Sequence, residues 1–316
     1  MDVYAGTVPM NRMLGRCSAF GIRRGYVWMG LSLVLACAPA TQVGLGAPLP
    51  AGGAACFDVA ALSPADQRVA EQILLEFGDR EGLYTLAGGL KPISSDVRDL
   101  QLRIAPSLDT TTLATLEQQR RVAAALTCGE IGVMVQVFTA TQRTRDSSEV
   151  RNTSMVVFHR AALRATVMRH QLFFASLGVT PSTAPTEILA AVENAPRAPR
   201  WRGYGYLFGY PDIAVDFFVE AGEEGDRTGK LVPRDFRRIE THYKFANGSG
   251  DSLSTFVYAV PKGAAPTAEE NQLRQRAADV LRTYRVQRHR QIGADGRGSL
   301  ALWRAWLTGA SAPNTR

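Results

Sequence analysis

The segment around Lys91 holds residue types that can perform acyl transfer. Lys91 is followed by Ser94 and Ser95, and it is one of only four lysines among the 36 basic residues. A serine hydroxyl becomes a nucleophile when a neighbouring lysine is desolvated and neutral. The spacing matches no ordered Ser/Lys motif, and a polar turn after the preceding Gly-Gly pair accounts for the segment equally well.

A second segment, rich in aromatic residues and arginine, could bind a ligand by stacking. It contains Trp201, Arg202, Tyr204, Tyr206 and Tyr210. Aromatic rings and guanidinium planes stack on sugars and bases, so the sequence predicts a ligand surface here that would face a glycan. The alternative is that these amphipathic side chains cap the hydrophobic core.

Carboxylates at Asp212, Asp216 and Glu220 recur every four residues and form an acidic stripe on a predicted helix. Two of them could bridge a divalent cation, but a solvated helix face explains the spacing too, and an acid near the N-terminus stabilises a helix. His159 and His170 would lie roughly 16 Å apart along one helix, too far to share a metal ion. We therefore predict no metal site and no cofactor.

The last long predicted helix is strongly basic toward its C-terminal end. Its arginines are Arg274, Arg276, Arg282, Arg285, Arg288 and Arg290. Their placement complements the helix dipole, and contact with an anionic lipid is the functional alternative. The formal net charge is +7, and residues 1–36, with four Arg and one Asp, supply +3 of it. A remainder of +4 is mild, so we expect no nucleic-acid partner.

The N-terminal region has the pattern of a secretory signal. Arg23 and Arg24 precede a 12-residue uncharged run that ends at Ala36, directly before Cys37. Such a run is shorter than the roughly 20 residues that a permanent transmembrane helix needs. Residues 34–37, Val-Leu-Ala-Cys, resemble the lipobox of bacterial lipoproteins, with Leu35 a mild departure from the usual residue.

The resemblance implies that Cys37 receives a diacylglycerol, that the chain is cut before it, and that the new amino group is acylated. Ala38 in the next position resembles the outer-membrane default, so we expect an exported protein anchored at the outer membrane or cell surface. Two alternatives stay open: cleavage after Ala40, which would release a soluble periplasmic protein, and a buried apolar helix in which the cysteine is incidental.

The composition changes sharply after Cys37. Residues 38–55 carry no charge and are dense in Gly, Pro and Ala, which is typical of a flexible linker of roughly 23 Å r.m.s. span. We therefore divide the chain into a signal peptide (1–36), a lipidated cysteine with its linker (37–55) and one globular module (56–316). Cys56 and Cys128 remain in the module, either as a disulfide, which an oxidising compartment favours, or as two separate buried thiols.

Helical and strand patterns alternate irregularly in the module, and several neighbouring strands look hairpin-connected. We predict an α+β fold with a mostly antiparallel sheet and several packed helices. The predicted helices cover 63–77, 111–126, 160–177, 187–194, 211–221, 267–288 and a short segment around Trp303 and Trp306. The predicted strands cover 97–104, 131–138, 155–158, 236–246 and 252–260, with a strand or turn at 83–86, a loop at 193–203 and a hairpin turn at 247–250.

No stretch carries the spacing of a known catalytic motif. The sequence therefore favours a lipid-anchored envelope protein that binds or scaffolds, attached to the membrane through its acyl chains and contacting a glycan or an anionic lipid. The alternative is a periplasmic or cell-surface hydrolase whose catalytic residues come together only in the fold.

Overall fold

The computed structural model of the protein describes residues 56–246 and 252–309. The predicted signal peptide, Cys37, the linker and the hairpin turn at 247–250 lie outside these residues. Within them, the helices are α1 (Pro64–Asp79), α2 (Leu83–Leu86), α3 (Thr110–Ala125), α4 (Arg160–Arg169), α5 (Gln171–Ser176), α6 (Pro185–Glu193), α7 (Arg197–Leu207), α8 (Asp212–Thr228), α9 (Ala268–Gln291) and α10 (Ser299–Thr308). The strands are β1 (Ile93–Ala105), β2 (Ile131–Arg143), β3 (Glu149–His159), β4 (Arg234–Ala246) and β5 (Ser252–Pro261).

The strands form two antiparallel sheets. One has the order β1-β3-β2, and the other consists of β4 and β5. Strand β3 pairs with both of its neighbours, so it lies at the centre of the larger sheet. The predicted α+β class with antiparallel sheets is confirmed.

The larger sheet separates two hydrophobic cores because β3 is buried on both faces. Met155 and Val157 face the first core, which also contains residues of α1, α3, α9, α10 and the β4–β5 sheet. Val156 and Phe158 face the second core, which α4 to α7 cover. Burial on both faces explains why this strand reads as a continuous apolar run and not as an alternation.

Capping side chains set the first residues of helices α1 and α9. The side chain of Ser63 accepts a hydrogen bond from the backbone of Asp66 at the start of α1, where Pro64 takes a first-turn position. Thr267 and Glu270 form a reciprocal capping box at the start of α9. These signals fix the beginnings of two helices that bound the first core.

Several predicted elements were wrong in type or extent. Residues 83–86 form helix α2, not a strand or turn. Most of the loop predicted at 193–203 is the start of α7, because Pro196 caps the helix and Pro199 lies in its first turn, where no intrahelical N–H is needed. The helix predicted over 160–177 breaks at His170, whose backbone leaves the helical region (φ −111°, ψ 38°) and whose ring stacks on Tyr206.

Cys56 and Cys128 are joined by a disulfide across a sequence separation of 72 residues. The bridge attaches the first described residues to the segment that leads into β2. The side chain of Arg304, in α10, donates hydrogen bonds to the carbonyls of Cys56 and Phe57. Both ends of the described chain are thereby fixed to one part of the first core. No helix of the described residues is both long enough and apolar enough to cross a bilayer.

Candidate functional site

A cleft of about 520 Å³ lies between helix α9 and strand β4. The lining residues are Tyr84, Arg238, Ile239, Glu240, Arg274, Ala278, Leu281, Arg282, Arg285 and Val286. We refer to this site as the basic cleft.

Helix α9 supplies one wall because of its pattern of buried residues. Leu273, Ala277, Leu281 and Tyr284 are buried and fix the helix against the first core. The neighbouring helical positions are exposed and carry the arginines, of which Arg274, Arg282 and Arg285 line the cleft. Arg282 follows Arg274 by eight residues, which is close to two helical turns, and Arg285 follows Arg282 by three, so these guanidiniums lie along one side of the helix.

Strand β4 supplies the opposite wall. Ile239 points into the protein and is only 4% exposed, whereas Arg238 and Glu240 on either side of it are exposed. This is the alternation expected of a strand with one buried face. It places a fourth guanidinium, that of Arg238, in the cleft lined by the three from α9.

The charges of the basic cleft are not balanced. Arg285 forms an ion pair with Glu240 (3.3 Å), and Arg282 forms one with Asp279 (2.5 Å). Neither Arg238 nor Arg274 has a hydrogen bond or ion pair to any described residue. Two guanidiniums are therefore open to an anion, and guanidinium groups bind carboxylate and phosphate oxygens in a bidentate manner.

The floor of the basic cleft is apolar. Leu281 is 3% exposed, and the ring of Tyr84 is fully buried. The Tyr84 hydroxyl donates a hydrogen bond to the backbone carbonyl of Glu240. Burial raises the pKa of Tyr84 well above its ordinary value, so this hydroxyl stays neutral and is already used by the protein.

Lys91 and Ser94 belong to a buried cluster of polar side chains that pair with one another by hydrogen bonds and an ion pair. The Lys91 ammonium donates to the Glu81 carboxylate at 2.8 Å and lies 4.2 Å from the centre of the Phe256 ring. The Ser94 hydroxyl shares a hydrogen bond with Thr85 (2.9 Å) and donates to the Glu81 carbonyl (3.3 Å). Among the described residues no hydrogen bond joins Ser94 to Lys91, so the couple needed for acyl transfer is not formed.

The predicted aromatic ligand surface is not assembled. Trp201 and Tyr204 are each 4% exposed and lie on the buried side of α7. Trp201 packs edge-on against Phe218, and the Tyr204 hydroxyl donates to the buried carboxylate of Glu193. These two rings cap the core, the alternative noted above, and they cannot stack on a ligand from solvent.

Of the other three residues of that segment, Arg202 and Tyr206 share one environment, because the Arg202 guanidinium donates a hydrogen bond to the Tyr206 hydroxyl (3.2 Å), whereas Tyr210 lies apart from them. Tyr206 stacks on His170, with ring centres 3.6 Å apart. Arg202 forms an ion pair with Asp216. Tyr210 is partly buried, packs against the first core and lies 5.4 Å, measured at its ring centre, from the Lys91 ammonium. The sequence analysis did not predict a helix over this segment. In a helix, neighbouring side chains point in different directions, so the five residues do not form one surface.

Two of the three carboxylates in the acidic stripe on α8 form ion pairs with arginines of other helices. Asp212 accepts from Arg169 at 3.0 Å, Asp216 pairs with Arg202, and Glu220 is exposed. Over residues 56–246 and 252–309, no group of three or more His, Cys, Asp or Glu side chains could hold a metal ion. Asp212 and Asp216 therefore form contacts between helices.

Sequence reasoning identified three of the four cleft arginines but not the cleft. Arg274, Arg282 and Arg285 belong to the basic helix, whereas Arg238, Ile239 and Tyr84 were not singled out. The signal that could have located Arg238 is its position beside Ile239 in an amphipathic strand. Nothing local could indicate that this strand packs beside α9.

Comparison of the chain with protein-family models, with curated proteins and with solved structures gives no match.

Proposed function

We propose that this protein is an exported, lipid-anchored protein of the bacterial envelope whose folded module binds anionic ligands in the basic cleft. The anchor is Cys37, on the strength of the signal-like run and the lipobox-like residues before it. The observation that carries the binding function is the pair of guanidiniums of Arg238 and Arg274, which line one cleft and form no hydrogen bond or ion pair with a described residue. The proposal is one of binding, not catalysis.

The chemistry of the cleft favours a compact anion, such as a phosphate or a carboxylate. A guanidinium has five N–H donors in a planar fork and carries its charge at every physiological pH. Two forks that face one cleft can hold one anion with charge-assisted hydrogen bonds. Because Arg238 and Arg274 are exposed, salt will screen the attraction, and the affinity will fall as the ionic strength rises.

Binding is tested with inorganic pyrophosphate as the probe, by isothermal titration at low ionic strength. The protein is the full-length chain carrying Cys37→Ser, so that no acyl group is attached. Replacing both Arg238 and Arg274 with Gln should weaken binding at least tenfold, since each charged hydrogen bond contributes about 1.5–3 kcal/mol. The matched control replaces Arg276 and Arg290, exposed arginines of α9 that do not line the cleft.

The control pair removes the same net charge from the same module. It should therefore change the pyrophosphate affinity less than about threefold, through the long-range field alone. Circular dichroism should give the same spectrum for both double variants, since all four side chains are exposed. Equal loss in both pairs would mean that the protein binds anions through net charge and not through the cleft, and would refute the binding proposal.

The anchor is tested separately in bacterial cells. Replacing Cys37 with Ser should abolish the incorporation of radiolabelled palmitate. Replacing Cys17 with Ser is the matched control, because that residue precedes the apolar run. Unchanged labelling of the Cys37 variant would refute the lipid anchor while leaving the cleft proposal untouched.

A further inference from the structure

We infer that the ligand of the basic cleft is a linear polyphosphate, a chain of phosphate groups that lies along helix α9 and contacts all four arginines of the cleft. This inference rests on the proposed function: one phosphate group of the chain contacts Arg238 and Arg274, and the remaining groups extend from there. The structural basis is the length of the row of arginines, which a single compact anion cannot span.

The arginines of α9 that line the cleft form a row longer than a compact anion. Arg274 and Arg285 are eleven residues apart, which corresponds to about 16 Å along the axis of a helix. Arg282 lies between them, and all three are exposed. A phosphate or pyrophosphate bound at one end of the row therefore leaves the guanidiniums at the other end without contact.

A small side chain keeps the row open between two of its guanidiniums. Ala278 follows Arg274 by four residues and precedes Arg282 by four, so it lies about one helical turn from each. It is exposed and lines the cleft. Because its side chain is a single methyl group, a ligand chain can pass over it from one arginine to the other.

The carboxylates beside the row are offset by cations of the protein. Glu240, the one acid among the described residues that line the cleft, lies 3.3 Å from Arg285 and 3.7 Å from Lys244. Asp279 pairs with Arg282, and both side chains are more than half exposed, at 53% and 71%. Exposed ion pairs contribute little to stability. A phosphate group can therefore bind these arginines beside the carboxylate or in place of it.

The exposed part of the lining offers charge and little else. Four of its seven side chains are arginines, whereas Tyr84, which supplies the one aromatic ring among the described lining residues, is fully buried. An oligonucleotide gains much of its affinity from bases that stack on accessible aromatic rings. Every group of a polyphosphate is an anion, so the chain needs no contact other than those that guanidiniums supply.

Arginines on both walls of the cleft favour a chain over a membrane surface. Arg238 comes from β4 and Arg274 from α9, so the two guanidiniums approach a bound anion from different sides. An anionic bilayer attracts basic side chains to a plane of head groups, and such a plane would meet the module from one side only. A single chain in the cleft can contact both walls at once.

The test compares linear hexaphosphate with hexametaphosphate, its cyclic counterpart, on the full-length Cys37→Ser protein by isothermal titration. The two probes have the same number of phosphate groups, but only the linear one can extend along the row. Linear hexaphosphate should bind at least tenfold more tightly than either the ring or pyrophosphate, because it alone reaches all four arginines. Its affinity should also fall more steeply with salt than that of pyrophosphate, since more phosphate groups are neutralised.

A charge-neutral variant tests the part of the row beyond Ala278. Asp279→Asn combined with Arg282→Gln removes one guanidinium without changing the net charge of the protein. It should weaken linear hexaphosphate at least threefold and leave pyrophosphate unchanged. The matched control is Glu224→Gln combined with Arg227→Gln, which removes another exposed ion pair of residues three apart on a helix, away from the cleft lining; it should change neither probe.

The outcomes separate this inference from the proposed function. If pyrophosphate binds in an Arg238- and Arg274-dependent manner and linear hexaphosphate is no tighter than the ring, the polyphosphate inference is refuted and the anion site stands. If no phosphate compound binds, both fail. Binding of an oligoglutamate peptide or of phosphatidylglycerol vesicles that is as tight as that of linear hexaphosphate, and that also needs Arg282, would refute the assignment to polyphosphate.

Discussion

Replacing Lys91 with Met should destabilise the protein by about 3–5 kcal/mol, because it leaves the carboxylate of Glu81 buried without a countercharge. The Lys91 side chain is fully buried and that of Glu81 is 7% exposed, with 2.8 Å between ammonium and carboxylate. The ammonium also lies within 5.4 Å of the centres of three aromatic rings, and cation–π contacts of desolvated groups contribute about 2 kcal/mol. These surroundings exclude water that could solvate the orphaned carboxylate.

Urea unfolding followed by circular dichroism measures the effect, and a double variant isolates its cause. Lys91→Met with Glu81→Leu removes both charges, so most of the lost stability should return. Arg120→Met is the matched control, because its ion pair with Glu117 joins two side chains that are about half exposed; it should cost less than about 1 kcal/mol. A cost below about 1 kcal/mol for Lys91→Met alone, or no recovery in the double variant, would refute the reasoning.

Three further predictions concern the stability of the module. Replacing Cys56 and Cys128 with Ser should lower the free energy of unfolding by about 4 kcal/mol, the chain-entropy value for a closed loop of 72 residues; unchanged urea midpoints would contradict it. Burial raises the pKa of Tyr84 and Tyr284 above the ordinary value of about 10. Both hydroxyls are neutral in the folded and the unfolded protein below pH 10, so the free energy of unfolding is unaffected there. Above pH 10 they ionise more readily in the unfolded protein, so the free energy of unfolding falls as the pH rises. Thermal unfolding between pH 8 and 11 measures this loss, and a flat melting temperature would disprove it. Gly222→Ala should destabilise by about 1–3 kcal/mol in urea unfolding, because the added methyl group meets a buried indole ring; a gain in stability would show that the ring has room to move.

The elements with strong local signals were predictable from the sequence. Helix α1 begins where Ser63 and Pro64 place it, and the capping box at Thr267 and Glu270 opens α9. The apolar segment that became β3 also stood out. In each case the deciding interaction lies within a few residues of the chain, where a sequence pattern can register it.

The failures occurred where tertiary packing decided the outcome. The two prolines near the start of α7 favour a loop by composition, yet the helix forms because Trp201, Tyr204 and Leu207 bury one side of it. At the break, the ring of His170 stacks on Tyr206 of another helix. Such contacts join segments that no local window contains, so propensity alone could not find them.

The basic cleft could not be located from the sequence for the same reason. A run of arginines on a helix has a sufficient structural explanation in the helix dipole and in solvation. What distinguishes Arg274 from Arg276 is that strand β4 lies beside the first and not the second. Arg238 adds a charge from a position 36 residues earlier in the chain, so the site exists only in three dimensions.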